Sequence, residues 1–370
     1  MFERFHEVIG QVPRTVESYE KELGRPIIGV MPAYFPLELI WAAGGYPVQL
    51  WGNNLAIQNA DAYMQSYCCS VARSVLELEL RGGAEMVKAY AFTPLCDTLI
   101  NTREIYRRLF SKPTLELSIP ITRTTKARRQ YLTSVLDTVL GGLSEITGKS
   151  IEAQQLRNAA DLYGRCRKLL RDLYALRRDC PGLIRNHDFY AVVKSGFFLP
   201  VDEYIRQLES LLKQLRRPEH GIESRPKLLL SGMVFDPIAV YSIFDQAGAW
   251  IVDDDFANGW RYAAKPELAV DDLVAGVAAY LFENAPCCCI YTPDNDRHAY
   301  LVDKVRRCDA DGVIFWYIKF CEPDAFDRPQ LAARLKEAGI PATTIEIELS
   351  MTHTDAVETR IAAFCEMLEG

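Results

Sequence analysis

Short apolar runs and stretches of helical spacing alternate in two separate parts of this chain, and residues 123–220 between them carry no strand signal. In the first part the apolar runs are 26–31, 47–51, 86–92 and 115–119, and residues 37–43, 67–80 and 98–109 have helical spacing. In the last part strands are predicted at 227–233, 250–253, 312–318 and 343–349, with helices over 237–246, 270–283, 298–307, 329–338 and 355–368. Strand and helix in alternation give parallel sheets covered by helices. Between the two parts, Leu156, Leu162, Tyr163, Leu169, Leu170, Leu173 and Tyr174 recur at three- and four-residue spacing, the mark of amphipathic helices. The expected fold class is α/β, with two parallel-sheet domains joined by a helical segment. The expected divisions are an N-terminal α/β domain over 1–122, a helical connecting domain over 123–220 and a C-terminal α/β domain over 221–370.

Charge narrows the partners. The chain has 42 Lys and Arg against 49 Asp and Glu, a formal net charge of −7. Nucleic acid is therefore not expected as a partner. Residues 123–185 run the other way, with 13 Lys or Arg and six Asp or Glu, which predicts a solvated basic helix face. Met1–Val8 alternates charged and apolar residues, unlike a signal peptide, and no long apolar run predicts a membrane span. A cytoplasmic location is expected, and eleven cysteines there read as thiols or metal ligands rather than disulfides.

Familiar nucleotide and metal motifs are missing. Gly148-Lys149-Ser150 imitates the end of a phosphate loop, but Leu143 stands where that loop needs glycine. Neither GxGxxG nor Gly-x-Ser-x-Gly occurs, and the five histidines show no metal-binding pairing. Asp253-Asp254-Asp255 is expected as a polar loop after a strand rather than a cation site.

Three cysteines fall where α/β domains place their chemistry, at the carboxyl ends of strands or the starts of helices. Cys96 follows the 86–92 strand, Cys321 follows the 312–318 strand, and Cys69 opens the helix containing Ser70–Ser74, where free N–H groups favour a thiolate. A metal bound to all three would lie between the two sheet domains. No CxxC pair is present, and thiolates so widely spaced suit an iron–sulfur cluster as well as no metal at all.

Several ordered motifs carry a resemblance. Met31-Pro32 with Pro36–Gly44, Tyr67-Cys68-Cys69-Ser70 with Arg73-Ser74, and Leu95-Cys96-Asp97 begin it. Asp311–Phe315, Lys319-Phe320-Cys321-Glu322-Pro323, Phe326–Pro329, Gly339-Ile340-Pro341 and Thr359–Phe364 continue it almost to the end. Together they resemble the benzoyl-CoA reductase and 2-hydroxyacyl-CoA dehydratase subunit family. The resemblance implies two Rossmann-like domains joined through helices, with a 4Fe-4S cluster between them held by Cys69, Cys96 and Cys321. It also implies an acyl-CoA substrate, a homologous second subunit or a second copy of this chain, and a separate ATP-hydrolysing iron–sulfur activator. The activity implied is low-potential one-electron chemistry on a CoA thioester. A benzoyl-CoA reductase-type subunit is the first reading, and a 2-hydroxyacyl-CoA dehydratase subunit or an electron-transfer subunit without substrate chemistry is the alternative.

Pro286-Cys287-Cys288-Cys289 departs from the single-cluster pattern. Some members of the family hold a double-cubane cluster with six cysteines, and here Cys68, Cys287 and Cys289 would join the other three. The single cluster is the expectation, because adjacent Cys68 and Cys69 point in different directions from a helix start. Cys166, Cys180, Cys308 and Cys365 are expected to be structural. Asp97 and Glu322, beside two of the cysteines, are expected to serve the helices that follow. Arg128 and Arg129 are candidates for CoA phosphates.

Overall fold

Two amphipathic helices, α1 (Glu3–Gly10) and α2 (Val12–Leu23), open the computed structural model, which describes residues 1–120, 125–215, 225–283, 285–290 and 296–370. The alternation of strand and helix signals does not reach these residues. Gly24 ends α2 in the left-handed region at φ +59°, where its N–H reaches the Glu20 carbonyl.

The first sheet follows as β1 (Ile27–Met31), α3 (Leu37–Ala42), β2 (Tyr46–Gln49), α4 (Ser70–Leu80), β3 (Val87–Phe92), α5 (Asp97–Leu109) and β4 (Thr114–Glu116). Every residue of β1 and β2 is buried, as strands covered by helices on both faces require. The strands are parallel in the order β2-β1-β3-β4, with Gly29 opposite Tyr90. A Cβ at Gly29 would stand 2.9 Å from the Tyr90 ring, so the bare backbone is what admits that ring.

Four helices follow, α6 (Thr125–Thr147), α7 (Ala153–Asp179), α8 (Asn186–Ser195) and α9 (Val201–Gln214). A capping box between Glu152 and Gln155 starts α7. This helix ties the two sheets together. Its Arg167 pairs with Glu38 of α3 at 2.6 Å, and two turns on, its Tyr174 hydroxyl donates to Asp254 at 2.7 Å.

The second sheet comprises β5 (Lys227–Gly232), α10 (Tyr241–Gln246), β6 (Trp250–Asp255), α11 (Trp260–Ala263), α12 (Leu273–Phe282), α13 (Arg297–Arg307), β7 (Gly312–Ile318), α14 (Glu322–Glu337), β8 (Ala342–Ile347) and α15 (Asp355–Glu369). It is also parallel, in the order β6-β5-β7-β8. Both sheets thus place their first strand between the second and the third. Winding reverses there, and α/β folds bind ligands in the crevice beyond the carboxyl ends of such strands. One apolar core runs through both sheets, and a smaller cluster including Leu229, Val252, Leu301 and Leu335 packs on the second.

The α/β class and the alternation match the sequence reading, and the bounds of several elements differ from it. The strand predicted at 250–253 continues to Asp255. Helix α14 begins at Glu322, so Pro329 lies inside it and not at its start. Residues 237–246 begin as a 3-10 turn, Ile238–Val240, before α10. The divisions expected at 122/123 and 220/221 fall outside the described residues. No described helix is long and apolar enough to cross a membrane.

Candidate metal centre

Cys69, Cys96 and Cys321 each occupy the N-cap of a helix, opening α4, α5 and α14 respectively. All three have extended backbone, and none makes a side-chain capping hydrogen bond. The usual caps Ser, Thr and Asp hold the first-turn N–H groups with a hard oxygen. A thiol at that position leaves the N–H groups facing a soft atom that can bind metal. Phe320, at φ +63°, makes the turn that lifts Cys321 from the end of β7 to the head of α14.

All three thiols are half-buried. Burial pushes the Cys69 thiol up to about 11, against the N–H groups of Ala72 and Val71, which favour its thiolate. Burial also raises Cys96, against the N–H groups of Leu99 and Thr98. Cys321 is raised furthest, by burial and then by Asp324, Cys69 and Cys96. Cys69 likewise feels Cys96, so the three thiols, drawn from both sheets, lie within electrostatic reach of one another. As thiolates they would repel, and a bound cation would remove that cost. Their sulfurs do not form a group within 4.8 Å; among the described cysteines that spacing is met by Cys287, Cys288 and Cys289. Thiolates on different irons of a cubane stand wider apart than thiolates sharing one ion, so the 4.8 Å spacing is a requirement for a single ion and not for a cluster.

The structure places the other candidates differently. Cys68 is half-buried, and its thiol donates to the Gln65 side-chain oxygen, Oε1, at 3.8 Å. Cys287 is buried and accepts Nη1–H of Arg261 at 3.3 Å. Contacts from the Cys288 and Cys289 thiols, with Arg261, hold Cys287 well below the usual thiol range. Cys166, Cys180, Cys308 and Cys365 are buried in or at the ends of helices. Asp97 and Glu322 stand in the first turns of α5 and α14, where a carboxylate suits the helix dipole. Arg129 is engaged by Asp272 at 2.8 Å, and Arg128 lies over the Phe282 ring.

Asp253-Asp254-Asp255 departs furthest from the expected polar loop. The run is the buried end of β6 and not a solvated loop. Asp253 pairs with Lys304 at 2.9 Å and Arg178 at 3.0 Å. Asp254 accepts from Tyr174 and Tyr190, and Asp255 pairs with Arg261 at 3.0 Å and Arg297 at 2.6 Å. Ionised carboxylates are buried only when paired in this way. Arg297 extends the network to Asp327 on α14, six residues past Cys321. Asp324, one turn into that helix, is pushed up to about 6 by burial, against Arg297, Arg261 and Arg328.

Three further features were not legible in spacing. Ala33 and Tyr34, just beyond β1, are both left-handed at φ +60° and +64°, a strain of about 1–3 kcal/mol each that gathers at functional sites. The buried Lys265 ammonium lies over the rings of Tyr34 at 4.9 Å and Tyr280 at 4.1 Å. A cavity of about 610 Å³, lined by Val48, Leu50, Val75, Ile238 and Leu349 among others, has none of the cysteines in its wall.

Comparison with known proteins places this arrangement in context. A model of the family described as 2-hydroxyglutaryl-CoA dehydratase, D-component, matches residues 32–368. The (R)-phenyllactyl-CoA dehydratase beta subunit of Clostridium sporogenes is 28% identical, over 99% of this chain and 98% of that protein. A benzoyl-CoA reductase subunit of Thauera aromatica is 27% identical, over 95% of this chain and 92% of its own length. The (R)-2-hydroxyglutaryl-CoA dehydratase beta subunit of Acidaminococcus fermentans is 27% identical, over 100% of this chain and 99% of its own.

Proposed function

The chain belongs to the 2-hydroxyglutaryl-CoA dehydratase D-component family, and from that membership we propose that it is the iron–sulfur subunit of an enzyme that passes single electrons to an acyl-CoA thioester. The observation that carries the proposal is the convergence of three half-buried thiols, each at a helix N-terminus, from the two sheets. Cys69, Cys96 and Cys321 would hold a 4Fe-4S cluster, with each sheet and its helices acting as a Rossmann-like unit and residues 123–220 as the connection. Bound there, the cluster would supply low-potential one-electron chemistry, and three cysteines would leave one iron without a protein ligand.

The chain's own residues prepare that place. Three helix N-termini turn N–H groups toward the sulfurs and offset thiolate charge. Half-burial limits the access of water, and Asp255, Arg261, Arg297 and Asp327 pair with one another in the wall of the second sheet. With no phosphate loop in the sequence, nucleotide hydrolysis falls to a separate ATP-hydrolysing iron–sulfur activator. A homologous second subunit or a second copy completes the enzyme.

Two outcomes share this chemistry. Net reduction of an aromatic or unsaturated acyl-CoA, as in a benzoyl-CoA reductase, is favoured by Tyr67-Cys68-Cys69-Ser70 and Lys319-Phe320-Cys321. Loss of water from a 2-hydroxyacyl-CoA, with the electron returned, is favoured by the dehydratase names of the family and of two of the relatives above.

Iron, acid-labile sulfide and EPR on oxygen-free protein test the cluster. About four irons per chain, lost on alanine substitution at Cys69, Cys96 or Cys321, are expected. No iron after reconstitution would overturn the proposal. With the partner subunit and activator present, product mass then separates hydrogen gain from loss of water.

A further inference from the structure

Cys287, Cys288 and Cys289 form a second set of thiols whose spacing differs in kind from that of the cluster candidates. A tight turn gathers them: Ile290 N–H donates to the Cys287 carbonyl at 3.1 Å, and Cys289 N–H donates to Cys287 Sγ at 3.5 Å. Their three sulfurs all lie within 4.8 Å of one another, with Cys288 Sγ and Cys289 Sγ 4.0 Å apart. Thiolates bound to a single zinc-sized ion at about 2.3 Å stand about 3.8 Å apart in tetrahedral and about 4.0 Å in trigonal geometry. Cys288 and Cys289 already stand at the spacing that one ion requires, and Cys287 Sγ lies within 4.8 Å of both.

The surroundings add two features. Met233, just beyond the end of β5, brings its thioether within 3.4 Å of Cys288 Sγ, so a fourth soft atom borders the three thiols. Buried Arg261 reaches both Cys287 Sγ at 3.3 Å and Met233 Sδ at 3.5 Å, placing positive charge where three thiolates would leave an excess of negative charge. Hard cations need oxygen ligands, whereas thiolate and thioether together select soft ions.

We propose that Cys287, Cys288 and Cys289, with Met233 beside them, bind a single closed-shell thiophilic ion, monovalent copper in preference to zinc, at a site separate from Cys69, Cys96 and Cys321. Binding exchanges thiol protons for the ion and changes no oxidation state; the protons leave to solvent. The thioether sets the order of preference, since copper(I) is the softer ion. The inference stands apart from the cluster reading, because it concerns different sulfurs at a different spacing.

The test is an oxygen-free titration of the full-length chain with copper(I) against a chromophoric chelator, and separately with zinc. The Cys69→Ala/Cys96→Ala/Cys321→Ala variant is titrated beside it. One tightly held ion is expected in both proteins, weakened by more than about 100-fold in Cys288→Ser/Cys289→Ser, with Met233→Leu weakening copper by about tenfold and leaving zinc unchanged. Stronger binding of zinc than copper would overturn the order of preference. Alkylation followed by mass spectrometry gives a readout without substitution: the ion should protect the 287–289 thiols and leave Cys69, Cys96 and Cys321 reactive. The proposal fails if those thiols alkylate equally with and without the ion, or if binding survives Cys288→Ser/Cys289→Ser. It also fails if reconstitution with iron and sulfide loads extra iron that requires Cys287 and Cys289, since that would assign them to a larger cluster.

Discussion

Cys96 and Cys321 occupy equivalent places in the two sheets: each follows the third strand of its sheet and caps the helix after that strand. Both sheets have the same strand order, so each offers one such position at its reversal of winding. A thiol at that place in both sheets gives one centre two anchors, and Cys69 at the head of α4 adds the third.

Alanine at Cys96 or Cys321 should therefore separate metal from fold. Each thiol is half-buried and makes no capping hydrogen bond, so the metal-free variant should lose no more than about 1 kcal/mol. Iron bound after anaerobic reconstitution should fall to background in the same variant. Urea unfolding of the apo proteins beside iron analysis of the reconstituted ones checks both parts; full iron retention would remove that cysteine from the ligand set.

The sheets were legible because their strands are short apolar runs whose meaning is local, and β7 lies where its seven residues predict it. The cysteines stood out because the ends of strands and the starts of helices are also local features. What stayed hidden was pairing at a distance. Asp253–Asp255 reads as a polar loop until Arg178, Arg261, Arg297 and Lys304 arrive from other elements to neutralise it. Proline usually opens a helix, so Pro329 marks the start that spacing predicts for α14; Pro323 in the first turn opens it instead, and Pro329 is carried inside.

Arg167 and Glu38, 129 residues apart and both buried, form the direct tie between α7 and α3. Removing one partner strands a buried charge and should cost about 3–5 kcal/mol, whereas exchanging both for apolar residues of similar size should cost much less. Arg167→Met, Glu38→Leu and the double variant, compared by urea unfolding, form the cycle. Additive losses would show that the two charges do not act as a pair.

Glu77 predicts an acid limit on the loop before the Cys69 helix. Burial alone would raise its carboxyl, but N–H groups of Ala60, Gln58 and Asn59, with Arg81, lower it to about 2. Its folded pKa lies below the ordinary 4.5, so the stabilisation is fully present above that value and is lost as pH falls toward about 2. Glu77→Gln should lose about 3 kcal/mol at neutral pH and show a shallower acid transition than the parent. Parallel acid transitions in the two proteins would contradict this assignment.

Lys265 should impose the opposite kind of dependence. Burial lowers its amine from 10.5 to about 7, against the attraction of Glu38, and its closest polar contact is the Tyr280 hydroxyl at 2.9 Å. Between about 7 and 10.5 the unfolded chain keeps a proton that the folded chain has released. Stability therefore rises with pH across that window, by up to about 1.4 kcal/mol per pH unit from this group. Below pH 7 both states are protonated, and the full cost of burying the ammonium is present. Lys265→Met removes that cost and leaves the Tyr280 hydroxyl without its partner, so its advantage over the parent should be greatest at pH 7 and shrink steadily toward pH 10. Chemical unfolding of both proteins at several pH values measures the difference, in which titrations common to the two cancel. A difference that does not change with pH would mean that Lys265 keeps its proton in the folded chain, held by its tyrosine faces and by Glu38 more strongly than burial opposes it.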